Sequence, residues 1–279
     1  MDKLFEAPLI VTLMGIGALS MAVPSLHALL INDHATSRAF FYSAVLFVIL
    51  FVMIALATTG MRIRRQARSH LISIVSCLAI LPVMLAVPFS EAVPDTRFIN
   101  AYVEMVSSLT TTGLTLFDPD RLPPSVHLWR ALVGWMGGFF IWVIAIAILA
   151  PLNLGGFEVT SKAEIGEGTR QSGKRGAGRR MRRYVGQLFP IYAGLTLVLW
   201  LALYVAGESA LAAACHAMAT LSTSGISGSG GLESGAGGFY GELAILLFLI
   251  FALSRLTFIR EDRTLGWNSL FNDPELRLG

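Results

Sequence analysis

Charge is what this chain is short of. Of its 279 residues only 14% are Asp, Glu, Lys or Arg, where a soluble globular domain carries about 25%, and 54% are hydrophobic. The deficit is patchy. Long apolar runs alternate with short charged clusters, the pattern of a chain that crosses a bilayer several times. Cysteine is scarce too. Cys77 and Cys215 both sit inside apolar stretches, which reads as buried thiols and excludes a disulfide framework or a cysteine metal site. The five histidines (His27, His34, His70, His127, His216) show no ligand spacing. No Ser-His-Asp set, phosphate loop or metal motif is visible, so an enzyme has little support and no covalent cofactor is called for. The net charge of +3 is too small to suggest a nucleic-acid partner.

What is present is apolar length. Six stretches can span a hydrocarbon core, which takes about 20 helical residues: 7–31, 40–60, 71–89, 128–149, 184–206 and 243–259. The first is longer than a signal-peptide core and lacks a small-residue cleavage site, so it reads as a membrane helix. Two stretches, 97–111 and 208–221, are about half a membrane thick as helices, and each runs into Thr, Ser and Gly. Lys and Arg fix the orientation. The clusters at 61–70, 161–183 and the end of the chain, with Lys3, put 17 of 21 basic residues on one side and leave Arg38, Arg97, Arg121 and Arg130 on the other. That count works only if both short stretches are re-entrant, and it predicts cytoplasmic termini in an inner (plasma) membrane. The basic loop 161–183, rich in Gly, Arg and Lys, enforces this topology and offers anionic lipid or a regulatory subunit a surface. The outer loops carry Asp33, Glu91, Asp95, Glu104, Asp118, Asp120, Glu208, Glu233 and Glu242, an acidic excess that concentrates cations or is ordinary loop charge. Arg130 reads as a headgroup anchor, or as a partner of Asp118 or Asp120. Gly134, Gly137 and Gly138 read as a helix-packing face in preference to a hinge.

The order span, short helix, hydroxyl-rich turn, span occurs twice, in 71–149 and in 184–259. Aligned on Gly113 and Gly225, the turns Ser-Leu-Thr-Thr-Thr-Gly-Leu-Thr and Thr-Leu-Ser-Thr-Ser-Gly-Ile-Ser match in type at every position. Both enter from the same side, a parallel repeat. The expected fold is an all-α polytopic membrane protein: two leading helices (1–68), a span–pore-loop–span repeat (69–160), the basic loop (161–183), a second repeat (184–260) and a tail (261–279). Irregular backbone at membrane depth survives only where protein or water satisfies it. A Thr/Ser/Gly turn there can offer carbonyl and hydroxyl oxygens in place of a cation's water shell, with glycine permitting the path. The candidate ion-binding residues are Thr110, Thr111, Thr112 and Gly113 in the first turn and Ser222, Thr223, Ser224 and Gly225 in the second. Glu104 and His216, each nine residues before its glycine, are placed to support the turns from behind; capping a buried amide is the plainer use for His216.

These motifs carry a resemblance. Glu104-Met-Val-Ser-Ser-Leu-Thr-Thr-Thr-Gly113, Trp129-Arg-Ala-Leu-Val-Gly-Trp-Met-Gly-Gly138, His216-Ala-Met-Ala-Thr-Leu-Ser-Thr-Ser-Gly225 and the tail Asp273-Pro-Glu-Leu-Arg277 resemble the Trk/Ktr/HKT superfamily of potassium transporters. Within it the chain looks most like the N-terminal half of the bacterial Trk membrane subunit. The resemblance implies potassium as the transported ion, glycine in each filter favouring it over sodium. It also implies a cytosolic ring of nucleotide-binding regulatory subunits as partner. The family builds its pore from four such repeats and this chain has two, so it reads as a fragment, as one half of a split gene, or as a two-repeat subunit that pairs with itself or with a second two-repeat half. The alternatives are a non-conducting regulatory or assembly subunit, or a sodium or mixed-cation transporter.

Overall fold

The computed structural model describes residues 9–58, 67–145, 173–228 and 236–253. Helices α1 (Leu9–Ser20) and α2 (Ala22–Leu30) form one span, Ile10–Leu30. Met21 N–H to the Gly17 carbonyl and Ser25 N–H to the Met21 carbonyl, both 3.3 Å, carry the helix across the join. Asn32 then takes a left-handed φ of 62°, which a short polar side chain tolerates. The Asp33 carboxylate accepts the Thr36 N–H at 3.1 Å and starts α3 (His34–Thr58). Next along the chain are α4 (Ala67–Ala92), α5 (Phe98–Leu109) and α6 (Pro124–Ile144), then α7 (Gly173–Val205), α8 (Ala210–Leu221) and α9 (Gly238–Leu253).

Five helices are long and apolar enough to cross a membrane: Ile10–Leu30, His34–Thr58, Ile74–Ala92, Pro124–Ile144 and Arg183–Val205. They coincide with five of the six expected spans; the sixth, α9, is described only to Leu253. Residues Phe41, Leu46, Ile49, Met53 and Leu56 on α3 are exposed, a surface suited to hydrocarbon rather than water. Helices α5 and α8 have 12 residues each, about 18 Å, too short to cross a hydrocarbon core of about 30 Å. One boundary differs from the sequence reading. Residues 173–183 of the basic loop are the first turns of α7, because Lys and Arg outside the bilayer are good helix formers and a helix emerging from lipid has no reason to end at the headgroups. The stretch 161–172, the tail 261–279, Glu233 and the clusters at 61–66 and 254–277 lie outside the described residues.

The repeat is visible as α4–α5–α6 against α7–α8–α9. One core joins the leading helices to the first repeat through Met21, Phe40, Phe89, Met105 and Trp129. Trp129 meets Phe40 edge-on at 5.5 Å, and its Nε1–H donates to the Leu85 carbonyl at 3.2 Å. The second core gathers Leu188, Tyr192, Leu199, Leu203, Leu221 and Ile245. Helix α6 belongs to both, packing on α5 and on α8. Its joint with α7 is a stack of Trp135 on Tyr192 at 5.1 Å; Tyr192 O–H donates to the Trp135 carbonyl at 3.0 Å, and Trp135 Nε1–H to Thr196 Oγ1 at 2.9 Å.

Candidate functional site: two converging hydroxyl–glycine turns

Helices α5 and α8 end in the same way. Thr110 and Ser222 cap them with φ near −87°. The next residue is left-handed, Thr111 at 53° and Thr223 at 52°. Thr111 N–H bonds to the Ser108 carbonyl and Thr112 N–H to the Ser107 carbonyl, at 3.0 and 2.9 Å. In the second copy Thr223 N–H reaches the Thr220 carbonyl at 3.1 Å and Ser224 N–H the Ala219 carbonyl at 2.9 Å. This is a Schellman closure whose left-handed position normally holds glycine. A β-branched residue held there stores strain of order 1–3 kcal/mol. Two residues on, Gly113 and Gly225 are left-handed again, at 75° and 64°. Left-handed residues at alternate positions end the helical run of carbonyls. Among the described residues, no hydrogen bond reaches the carbonyls of 110–113 or 222–225.

The hydroxyls repeat the pattern. Thr110 Oγ1 donates to the Val106 carbonyl and lies 2.8 Å from Thr112 Oγ1; Ser222 Oγ donates to the Met218 carbonyl and lies 3.0 Å from Ser224 Oγ. The surroundings differ. Thr110 and Thr112 are exposed, whereas Ser222 and Ser224 are buried. The two turns also meet. A methyl group at Gly113 would overlap the Ser224 backbone carbonyl, while one at Gly225 would enter open space.

Both turns rest on α6. A side chain at Gly137 would overlap the Leu109 carbonyl, and one at Gly138 would press on Ser222, 2.8 Å from its Cβ. Gly134 faces Ser108, Ser224 and Ile226. The glycines that the sequence suggested for helix–helix packing therefore let a helix approach two turns. Spacing alone gives no sign of what a small-residue face will meet.

Glu104 is buried, 1% exposed, and its carboxylate accepts the Leu116 N–H at 3.0 Å, three residues beyond Gly113. Ser107 Oγ donates to the Leu114 carbonyl at 2.7 Å. His216 Nδ1 contacts the Glu208 carboxylate at 3.0 Å, and its Nε2 contacts Ser227 Oγ at 3.1 Å, two residues beyond Gly225. Arg130 is not a headgroup anchor and does not pair with Asp118 or Asp120. It is 4% exposed and forms a 2.6 Å ion pair with Glu104. As the seventh residue of α6, it points to α5, where the partner carboxylate lies. Glu104 and Glu208 likewise leave the set of outer-loop carboxylates, because both are buried against cationic or imidazole partners.

The family model described as "TrkH: Cation transport protein" matches residues 36–234, a stretch that contains both turns. This chain belongs to the TrkH cation transport family. TrkH proteins are transporters rather than enzymes. The Trk system potassium uptake protein TrkH of Escherichia coli strain K12 is 32% identical over 211 residues, 75% of this chain and 42% of that protein. Its counterpart in Vibrio parahaemolyticus is 28% identical over 246 residues, 86% of this chain and 48% of that protein. The crystal structure of the potassium transporter TrkH from Vibrio parahaemolyticus superposes with a TM-score of 0.73 at 24% identity, covering 92% of this chain and 51% of that one. The TrkH fold is thus shared over nearly the whole chain, and the chain spans about half the length of the curated relatives it matches.

Proposed function

We propose that this chain is one half of the pore of a potassium uptake system, with residues 110–113 and 222–225 as two of its ion-selecting loops. The observation that carries this is the matching left-handed geometry at Thr111/Gly113 and Thr223/Gly225, in turns that touch each other where two half-length helices end. Carbonyl oxygens held at fixed positions and free of other donors are suited to a hard monovalent cation. The names of the relatives point to potassium, and so does glycine at both 113 and 225. Glu104 and His216 act behind the loops, tying the backbone after each glycine to its short helix. Two loops enclose one side of an ion path, and two further repeats, from a second copy, another two-repeat half or more of the same protein, enclose the other. The chain sits in the inner membrane with both termini cytoplasmic, where a nucleotide-binding ring of regulatory subunits can reach it.

The test is potassium uptake in cells lacking their own uptake systems, with the chain expressed alone and with a candidate partner half, normalised to protein in the membrane. Uptake that appears with the partner and shifts toward sodium in Gly113→Ser supports the proposal. A wild-type ion preference in both Gly113→Ser and Gly225→Ser sinks it.

A further inference from the structure

We infer that Arg130 is the positioning residue for the backbone that leaves the first filter loop, holding segment 113–121 at two points through two different intermediaries. One arm of the guanidinium, Nη2, pairs with the Glu104 carboxylate, whose other oxygen accepts the Leu116 N–H at 3.0 Å. The other arm, Nη1, lies 3.4 Å from His127 Nδ1, and His127 Nε2 lies 2.9 Å from the Pro119 carbonyl. An arginine can only donate. His127 Nδ1 must therefore accept, which leaves the proton on Nε2 and aims it at the Pro119 carbonyl. The same side chain thus orients the Glu104 carboxylate as an acceptor, and fixes the tautomer that makes His127 a donor.

The geometry excludes other roles. Arg130 is buried and its charge is met by Glu104, so it neither lines an ion path nor reaches the headgroups. Its two contacts fall on residues 116 and 119, in the stretch between the Gly113 end, tied by Ser107 Oγ to the Leu114 carbonyl, and the Arg121 end, where Arg121 Nη2 donates to the Asp95 carbonyl at 3.3 Å; between them Phe117 packs on Phe89 at 5.3 Å. A lysine would supply the charge but not a fork that serves both acceptors. The second repeat is built differently. There the residue behind the turn, His216, is met by Glu208 from the approach to its own short helix, and α9 carries no arginine among its described residues. Among the described residues, an arginine on the return helix ties down the first loop, and no arginine does so in the second.

Hydrogen exchange on the full chain in detergent tests this without requiring conduction. In Arg130→Gln, the hydrogen-bonded amides of Leu116, Arg121 and Leu122 should exchange about ten-fold faster or more, as expected for loss of charge-assisted hydrogen bonds and of the backbone they hold, while α8 and segment 222–228 stay as in wild type. Arg130→Lys should protect Leu116 but release the Arg121 and Leu122 amides, because His127 loses its fixed tautomer. If Arg130→Gln fails to fold, adding Glu104→Gln removes the stranded carboxylate and keeps an oxygen for Leu116 N–H; in that double variant only the Pro119 end should loosen. Arg38→Gln, an exposed outer arginine, is the control. Unchanged exchange of Leu116, Arg121 and Leu122 in folded Arg130→Gln overturns the inference, whatever transport assays give. In a conducting assembly, Arg130→Lys should also lower the potassium-to-sodium uptake ratio at equal membrane protein. This arm rests on the pore reading, so a shift in exchange without a shift in ratio supports the positioning role and counts against the pore.

Discussion

At the scale of single residues, the two turns are alike in backbone and unlike in surroundings, and that separates the effects of equivalent substitutions. Gly113→Ser places an atom against the Ser224 carbonyl at a left-handed φ, so it should disturb both turns. Gly225→Ser meets open space and adds only the left-handed strain. The expected order is a larger loss of potassium preference for Gly113→Ser, read as relative uptake of the two ions; equal losses would contradict the contact. Thr111 gives a second test. Thr111→Gly relieves a β-branched residue at φ 53° and should raise stability by about 1 kcal/mol, measured by thermal unfolding in detergent, while loosening the turn and weakening ion preference. The register of these turns is legible in the sequence, because Thr-Thr-Thr-Gly and Ser-Thr-Ser-Gly align without a gap. The strain at Thr111 is not, since a threonine before a glycine suggests the left-handed position at the glycine alone.

At the scale of elements, α6 is the part whose role changed most between sequence and structure. Gly137→Ala should destabilise the protein by about 1–3 kcal/mol, because the added methyl overlaps the fixed Leu109 carbonyl. Gly194→Ala on α7 meets nothing within 4 Å and should instead stabilise by about 1 kcal/mol through helix propensity. Thermal unfolding of the pair checks the claim, and a matching sign in both would refute it. The helices themselves were legible from apolar run length, including the two of half-membrane length. The Glu104–Arg130 pair was not. Its members are far apart in sequence, and a lone arginine near a span end is ordinarily free to reach the headgroups. Only the packing of α5 on α6 brings a carboxylate within 2.6 Å of it. Likewise, counting Glu104 and Glu208 with the outer carboxylates follows from sequence position, while their burial follows from which helix face meets a neighbour.

At the scale of the whole molecule, the two turns lie against each other and leave Thr110, Thr112, Thr223 and Gly225 exposed. In the proposed pore these residues face two further loops. Native mass spectrometry in detergent should find the chain with a second copy or a partner half, and a monomer that conducts potassium in liposomes would refute this. Single-cysteine labelling in a background without Cys77 and Cys215 should place Asp118 outside and the stretch 161–183 inside. Labelling of 161–183 from outside would overturn the topology.

The contact between Gly113 and the Ser224 carbonyl also bears on descent. Two copies that arose by duplication are usually free to drift apart once each folds alone. Here the backbone of one copy occupies the space into which any side chain at Gly113 of the other would grow. A lineage that replaced Gly113 would first have to move the chain at Ser224, and a change at Ser224 that shifted its carbonyl would alter what position 113 can hold. Related sequences should therefore show paired changes at these two positions, 111 residues apart, more often than either change alone.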